Sequence, residues 1–243
     1  MVERFVIARG KAGATIAETQ QYWRDHHGPL VTGIPEFWDF ASSYIQNHAL
    51  QIEAPGVPVT DFAGVLQIGL KEPADRPEKR FSETAIYRER VRPDEAAFSD
   101  PAGSIVLEAT SHVVVDGPRE GIKVFSFLKR NPAISHEDFV HHWRHVHADL
   151  VLSAKDAASF FHRYVQHYVT PGTERCANGE ATPHGFDGIL EIWVREPRDM
   201  GRLYQSAGYQ RNVVPDEGNF LMKGGSVRLL LTEFSWPPGH PES

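Results

Sequence analysis

Two segments of this 243-residue sequence carry the same set of side chains that could move protons. The segment YWRDHHGPLV around Trp23 and the segment HWRHVHADLV around Trp143 are identical at five of ten positions. In each segment a histidine follows the tryptophan by four residues, so both side chains share one face of a helix. Because imidazole titrates near neutral pH, we predict a general acid or base at this position in both copies, at His27 and His147.

A structural role is the alternative for these side chains. We expect each histidine at the C-terminal end of its helix, where the helix dipole favours a protonated ring and a capping histidine would serve equally well. The tryptophans are typical of a packed core. Trp23 and Trp143 are nevertheless retained as candidate substrate-binding residues, because they share the histidine face.

A pair of adjacent carboxylates also occurs twice. Asp94 and Glu95 lie in PDEAAF, and Asp216 and Glu217 lie in PDEGNF. Such a pair is common at the start of a helix. A carboxylate within hydrogen-bond reach of a histidine would instead orient its ring. We therefore predict Glu95 and Asp216 as members of the catalytic groups.

A tyrosine and a glutamine two residues apart follow in both copies, on a predicted strand. Alternation along a strand places the two side chains on the same face of the sheet. A tyrosine there is either part of the core or places its hydroxyl on a substrate oxygen. The predicted catalytic tyrosines are Tyr44 and Tyr164, and the predicted substrate-binding glutamines are Gln46 and Gln166.

The whole chain consists of two copies of one unit. GVLQIGLKEP and GILEIWVREP also agree at five of ten positions and occur in the same order as the other matched segments. Similarity repeated over several ordered segments indicates internal duplication. The turn-rich stretch DGPREG separates the copies, so we place the two units at residues 1–117 and 122–236.

Each unit is predicted to follow the order βαββαβ, which is that of a ferredoxin-like fold. Thr15 and Ser135, each followed three residues later by an acidic residue, form capping boxes that begin the first helix. A second, polar helix is predicted to begin near Pro73–Asp75 and near Pro197–Asp199. The strands are predicted at 5–9, 43–48, 62–70 and 104–115, and at 123–128, 163–168, 186–194 and 226–234.

One such unit leaves an apolar face of its sheet uncovered. The sequence therefore predicts an α+β fold in which two ferredoxin-like repeats pack sheet-to-sheet within one chain, as an intrachain dimeric α+β barrel. A pocket can then form in each half, between the sheet and its helices.

The order of these motifs resembles the EthD family of dimeric α+β barrel proteins. The resemblance rests on the WRDHHGPL stretch, the Tyr44-Ile45-Gln46 strand, the Asp187-Gly188 pair and the Asp94–Phe98 segment, and it covers nearly the whole chain twice. It implies the barrel fold, with the histidine beside the pocket. It also implies cofactor-free enzymes acting on aromatic or polyketide-like compounds, oxygenases, or accessory proteins of degradative pathways. The superfamily includes heme-binding relatives. The second copy departs from the pattern, with HADL in place of HGPL.

Composition and missing motifs exclude several classes of function. A formal net charge of −7 argues against binding nucleic acid through phosphate contacts. No apolar run approaches the length of a membrane helix or a signal peptide. The single cysteine, Cys176, excludes an intrachain disulfide and indicates a cytoplasmic setting. It lies in the long loop TPGTERCANGEATPHG, which we interpret as a lid or a surface excursion. Glycine-rich nucleotide motifs are absent.

We therefore expect no cofactor and no metal. His141 and His145 have the spacing of two metal ligands, but no third ligand is apparent. The first hypothesis is a cofactor-free lyase, dehydratase or isomerase that uses a histidine on a small hydroxylated aromatic or polyketide-like substrate. The alternatives are a non-catalytic ligand-binding or accessory protein, and an oxygenase. The expected partners are a small-molecule substrate and, as an open question, a second copy of the chain.

Overall fold

The computed structural model describes residues 1–54, 56–72, 78–182 and 184–236. Both halves alternate strands and helices in the same order. The strands of the first half are β1 (Val2–Arg9), β2 (Ala41–Ala49), β3 (Phe62–Leu70) and β4 (Ile105–Val115); those of the second are β5 (Ile122–Leu128), β6 (Phe161–Val169), β7 (Arg175–Cys176), β8 (Gly188–Val194) and β9 (Val227–Trp236). Except for the two-residue β7, each strand overlaps a predicted one.

The strands form one closed antiparallel barrel. Within the described residues, the order is β1-β3-β2-β9-β5-β8-β6-β4-β7, and pairing of β1 with β4 closes a ring of eight strands. The two halves meet through the hydrogen-bonded edges β2–β9 and β4–β6. The predicted α+β barrel is therefore confirmed. Its two sheets join edge to edge, which leaves no unpaired edge along the ring.

Alternation along the strands separates an interior from a helix-covered face. On β1, Phe5 and Ile7 point into the barrel and are fully buried, together with Phe125 and Phe127 of β5. The intervening residues of β1 face the helices. Polar groups are also buried inside the barrel, and Lys123 has no exposed surface.

The first helix of each half is longer than predicted. In the first half, α1 (Ile16–Tyr22) continues through a π-helical turn at Trp23–His27 into α2 (Gly28–Thr32). The expectation that His27 ends a helix is therefore wrong. In the second half α5 (His136–His142) continues through Trp143–His147 into α6 (Ala148–Ser153), so the same expectation for His147 is also wrong. Both predicted capping boxes are present.

The remaining helices cover the same face of the barrel. The helix predicted near Pro73–Asp75 lies outside the described residues, whereas its counterpart in the second half begins at Arg198. The short helices after the first helix are α3 (Phe37–Phe40) and α7 (Lys155–Ala158), and the later ones are α4 (Arg92–Phe98), α8 (Arg198–Gln205) and α9 (Val214–Phe220). Single π-helical turns at Tyr87–Val91 and Tyr209–Val213 precede α4 and α9, and a 3₁₀ turn spans Phe81–Glu83.

None of the helices in the described part of the chain has the length and apolar character needed to cross a membrane.

Candidate functional site

A cavity of about 660 Å³ lies in the first half, between the sheet and its helices. Its floor comes from the helix-facing residues of β1, β2, β3 and β4, and its roof from α2, α3 and α4 with the π-helical turns that precede α2 and α4. The wall is mostly apolar, with a few polar groups, which is typical of a small-molecule site. Its polar and aromatic side chains include Arg4, Trp23, His27, Tyr44, Tyr87, Glu95, Glu108 and Arg175.

His27 is held at the cavity wall by a carboxylate. The side chain of His27 is buried, and its Nδ1 lies 2.6 Å from Oδ2 of Asp94. The other oxygen of Asp94, Oδ1, accepts a hydrogen bond from the Tyr22 hydroxyl at 2.8 Å. Burial would raise the pKa of Asp94, but these hydrogen bonds outweigh it and lower that pKa. A carboxylate that stays ionised fixes Nδ1 as the donor. Nε2 has no hydrogen-bond partner among the described residues and is the atom available to a ligand.

The neighbouring carboxyl, Glu95, occupies a different environment. It lines the cavity, and its Oε2 accepts a hydrogen bond from the Tyr87 hydroxyl at 2.6 Å. Burial raises the pKa of Glu95 despite this hydrogen bond. The pKa values of two adjacent carboxyls are thus moved in opposite directions, down for Asp94 and up for Glu95.

The Tyr44 hydroxyl is positioned by two donors. Nε1 of Trp23 lies 3.3 Å from it and Nε2 of Gln46 lies 3.2 Å from it. Burial raises the pKa of Tyr44, so the phenol remains protonated. Because the oxygen accepts from both neighbours, its own hydrogen is free to be donated into the cavity.

Gln46 and Trp23 have different positions relative to the cavity. Trp23 lines it, whereas Gln46 lies behind the wall, fully buried. Gln46 also donates to the Trp23 carbonyl at 2.9 Å, which is the carbonyl that accepts the Gly28 amide in the π-helical turn. The glutamine therefore ties this turn to β2.

The second half repeats the hydrogen bonds of these groups. Nδ1 of His147 lies 2.9 Å from Oδ2 of Asp216, and Nε2 of His142 lies 2.8 Å from its Oδ1. Burial lowers the pKa of His147 even though Asp216 opposes this. Gln166 donates to the Tyr164 hydroxyl at 2.7 Å.

The cavity described in the second half is smaller, about 340 Å³, and His147 does not line it. Trp143 is almost fully buried, in a cluster with Leu128, Phe139, Tyr168 and Phe220. By strand register, Leu128 lies where the first half has Ala8. Larger apolar side chains thus occupy the volume that is open around His27.

The described residues contain no group of three or more potential ligands for a metal ion. His141 and His145 are adjacent on their helix, with ring centroids 5.0 Å apart, outside the cavity.

The family model of the EthD domain matches the sequence twice, at residues 11–102 and 131–224. The chain belongs to the EthD family. The two EthD-domain matches fall within the two halves of the barrel, so the tandem arrangement predicted from the repeat is confirmed. No curated protein matches the sequence at a significant level.

Solved structures share the fold of this EthD protein at low sequence identity. One, from Lactobacillus acidophilus and provisionally assigned as a monooxygenase, is 7% identical, with 98% of this chain and 96% of that chain covered and a TM-score of 0.53. Another with the same provisional assignment, from Fusobacterium nucleatum, is 6% identical, with 97% of each chain covered and a TM-score of 0.55. A provisionally assigned chlorite dismutase is 10% identical, with 95% and 94% covered and a TM-score of 0.50. At these identities the likeness concerns the fold.

Several cavity residues were not identified from the sequence. Tyr87 had a usable signal, because Tyr209 recurs at the same place and donates to Glu217 at 2.6 Å as Tyr87 does to Glu95. Arg4 gave no signal, because the second copy has Val124 at that position of its strand.

Proposed function

We propose that this EthD protein is a cofactor-independent acid–base enzyme, of the lyase or isomerase type, whose active site is the cavity of the first half. The observation that carries the proposal is the His27–Asp94 pair on the cavity wall beside the protonatable carboxyl of Glu95. Two proton-transfer groups of different acidity at one apolar cavity suit removal of a proton from one atom of a substrate and its delivery to another. We further propose that each half of the barrel is a ferredoxin-like unit.

The proposed substrate is a small hydroxylated aromatic or polyketide-like ketone. His27 Nε2 takes the proton from the carbon next to the carbonyl, while Asp94 stabilises the imidazolium that forms. The Tyr44 hydroxyl donates to the carbonyl oxygen as it becomes an enolate. Glu95 then gives its proton to the β-hydroxyl, the carbon–oxygen bond breaks, and water leaves. A proton shift without loss of water would be the isomerase version of the same steps.

A suitable probe is 3-hydroxy-1-tetralone, which loses water and aromatises to fluorescent 1-naphthol. We expect wild-type protein to accelerate this conversion and His27→Ala to lower the rate by about 10²–10⁴-fold, the usual contribution of a general base. His147→Ala is the matched control, because His147 has an equivalent aspartate partner in Asp216 but does not line the cavity. Equal rates for wild type and His27→Ala would refute the proposal.

A non-catalytic ligand-binding protein of a degradative pathway is the second candidate, favoured by the apolar part of the cavity wall. A protein of this kind would bind ligands without turning them over. The His27→Ala substitution would then change neither the binding nor the absence of turnover. An oxygenase is the third, and a heme-dependent one would show a visible absorbance band in purified protein. The proposed setting is the cytoplasm, in keeping with the free thiol of Cys176.

A further inference from the structure

One end of the first-half cavity is lined by arginines from separate segments. Arg4 lies on β1, Arg80 just before the 3₁₀ turn, and Arg175 on β7. Arg4 and Arg175 are partly buried, whereas Arg80 is exposed at the rim. Cations brought together by the fold, and not by the local sequence, indicate a position where negative charge is accommodated.

Carboxylates near these arginines only partly balance them. Glu108 accepts from Arg4 at 2.8 Å, and the two side chains are 15% and 16% exposed. The other acidic groups at this end, Asp39, Glu72 and Glu83, lie on the exposed rim beside the lysines Lys71 and Lys79. Burial and then the charges of Arg80 and Arg4 lower the pKa of Arg175, with Glu108 opposing them.

Arg175 is supplied by the second half of the chain. It belongs to the long loop between β6 and β8, and β7 pairs with β4 so that Arg175 lies opposite Val106. Further hydrogen bonds fix the loop to this edge, from the Ala177 amide to the Ser104 carbonyl at 2.9 Å and from the Glu108 amide to Thr173 at 3.1 Å. Arg175 and Ala177 line the cavity. The loop predicted as a lid or surface excursion therefore forms part of the wall.

The same positions of the second half are apolar. By strand register, Val124 replaces Arg4 and Leu230 replaces Glu108. Val57 comes from the β2–β3 loop of the first half. It packs into the apolar cluster that contains Val124 and Leu230, and it is almost fully buried. The Arg4–Glu108 pair therefore has no counterpart in the second half, which is not expected of residues that serve the barrel itself.

We propose that the substrate of this cavity carries a carboxylate, which binds between Arg4 and Arg175 while its reactive carbon faces His27. A planar guanidinium donates two parallel hydrogen bonds to a carboxylate, and Arg175 has one of its terminal nitrogens on the Thr173 carbonyl at 3.0 Å and the rest of its donors available. This inference rests on the proposed function for the position of the reacting group, but the carboxylate site itself depends only on the arginines.

The test measures binding of 2-naphthoate and of its neutral isostere 2-naphthamide by isothermal titration calorimetry. We expect wild-type protein to bind the acid at least tenfold more tightly than the amide. Arg175→Gln should lose about tenfold or more in affinity for the acid and little for the amide, since a hydrogen bond to a charged group is lost. Arg175→Lys, which keeps the charge, should recover part of the loss. Arg202→Gln is the control, because Arg202 lies in the second half and pairs with Glu196 and Asp199.

Several results would overturn the proposal: equal binding of acid and amide, an unchanged affinity in Arg175→Gln, or no binding of either compound. 2-Naphthoate has no hydroxyl group to lose, so its binding is measured without turnover. Failure of the carboxylate site is therefore read from binding, and failure of the proposed activity from turnover of 3-hydroxy-1-tetralone.

Discussion

The substitution Glu191→Gln tests the charged cluster that lies inside the barrel. Glu191 is 1% exposed and accepts hydrogen bonds from His167 at 3.1 Å and from Trp193 at 2.8 Å. Its carboxylate also lies 3.7 Å from the ammonium group of Lys123, which has no exposed surface. Glutamine has nearly the same volume but only one acceptor oxygen, so the substitution removes the negative charge and one of these two hydrogen bonds.

The expected cost follows from the charges that remain. Lys123 keeps Glu233 at 2.9 Å, and His167 keeps Glu3 at 3.2 Å, so each cation retains one carboxylate. Removing one partner from a buried ion pair costs about 3–5 kcal/mol when the remaining charge has no compensation, so with a second carboxylate at each cation we expect the lower end of that range, about 3 kcal/mol. For a chain of this size each kcal/mol shifts the melting temperature by about 2–4 °C. The variant should therefore melt roughly 6–12 °C below wild type.

The measurement is urea unfolding followed by circular dichroism at neutral pH, with Glu196→Gln as the control. Glu196 is also paired with two cations, Arg198 and Arg202, but its side chain is 36% exposed. An exposed pair contributes about 0–1 kcal/mol. If the two variants lose the same free energy of unfolding to within about 1 kcal/mol, burial does not set the strength of this cluster and the reasoning is refuted.

Three further predictions concern the cavity and the pH dependence of stability. Ala8→Leu should fill the cavity as Leu128 fills the second half, and abolish 2-naphthoate binding in calorimetry with no loss of thermal stability; unchanged affinity would contradict this. Asp94→Asn should slow turnover of 3-hydroxy-1-tetralone by roughly 10²–10⁴-fold, because the histidine loses the carboxylate that orients it, while Asp216→Asn leaves turnover unchanged. Burial would lower the pKa of His167, but the carboxylates on both sides outweigh it and raise that pKa above 6.5. The contribution of protonated His167 to the free energy of unfolding is complete below pH 6.5 and is lost as the pH rises through the pKa of His167 in the folded protein. The urea midpoint of His167→Gln should therefore fall less than that of wild type on the alkaline side of a plot against pH.

The barrel could be predicted because the duplicated sequence shows the same strand pattern twice. Strand positions such as Phe62–Leu70 recur with the same alternation in Gly188–Val194, and one unit leaves an apolar face that only another unit can cover. The helix ends could not be predicted in the same way. The sequence Gly28-Pro29 is typical of a helix stop, since proline lacks an amide hydrogen and its ring clashes with the carbonyl four residues earlier.

A wider turn accompanies that proline. The π-helical turn at Trp23–His27 ends two residues before Pro29, and the turns at Tyr87–Val91 and Tyr209–Val213 likewise end two residues before Pro93 and Pro215. The same turn at Trp143–His147 precedes Ala148 and Asp149, so the turn does not require the proline. A π-helical turn inserts one residue and displaces the carbonyl that the ring would meet. The helix therefore continues, and His27 faces a cavity instead of ending in solvent.

The candidate histidines could be named from the sequence, but not which of them borders a cavity. His27 and His147 have matching neighbours in their own helices and matching carboxylates. The difference between the two sites lies on the strands beneath the histidines, where Ala8 of the first half corresponds to Leu128 of the second. Such exchanges are conservative in hydrophobicity, so their effect on volume becomes visible only when the strand register is known.

Joining two units in one chain allows their interiors to differ. Two identical subunits would repeat every cavity and every buried charge, including the unfavourable desolvation of a pair such as Arg4–Glu108. Here one half keeps the cavity with the Arg4–Glu108 pair, while the other has Val124 and Leu230 at these positions, which contribute apolar burial. A loop of the second half also contributes to the first half, because it brings Arg175 to the cavity there. The difference between the halves thus depends on contacts that cross from one half to the other. An isolated first unit would lack half of the barrel and part of the cavity wall.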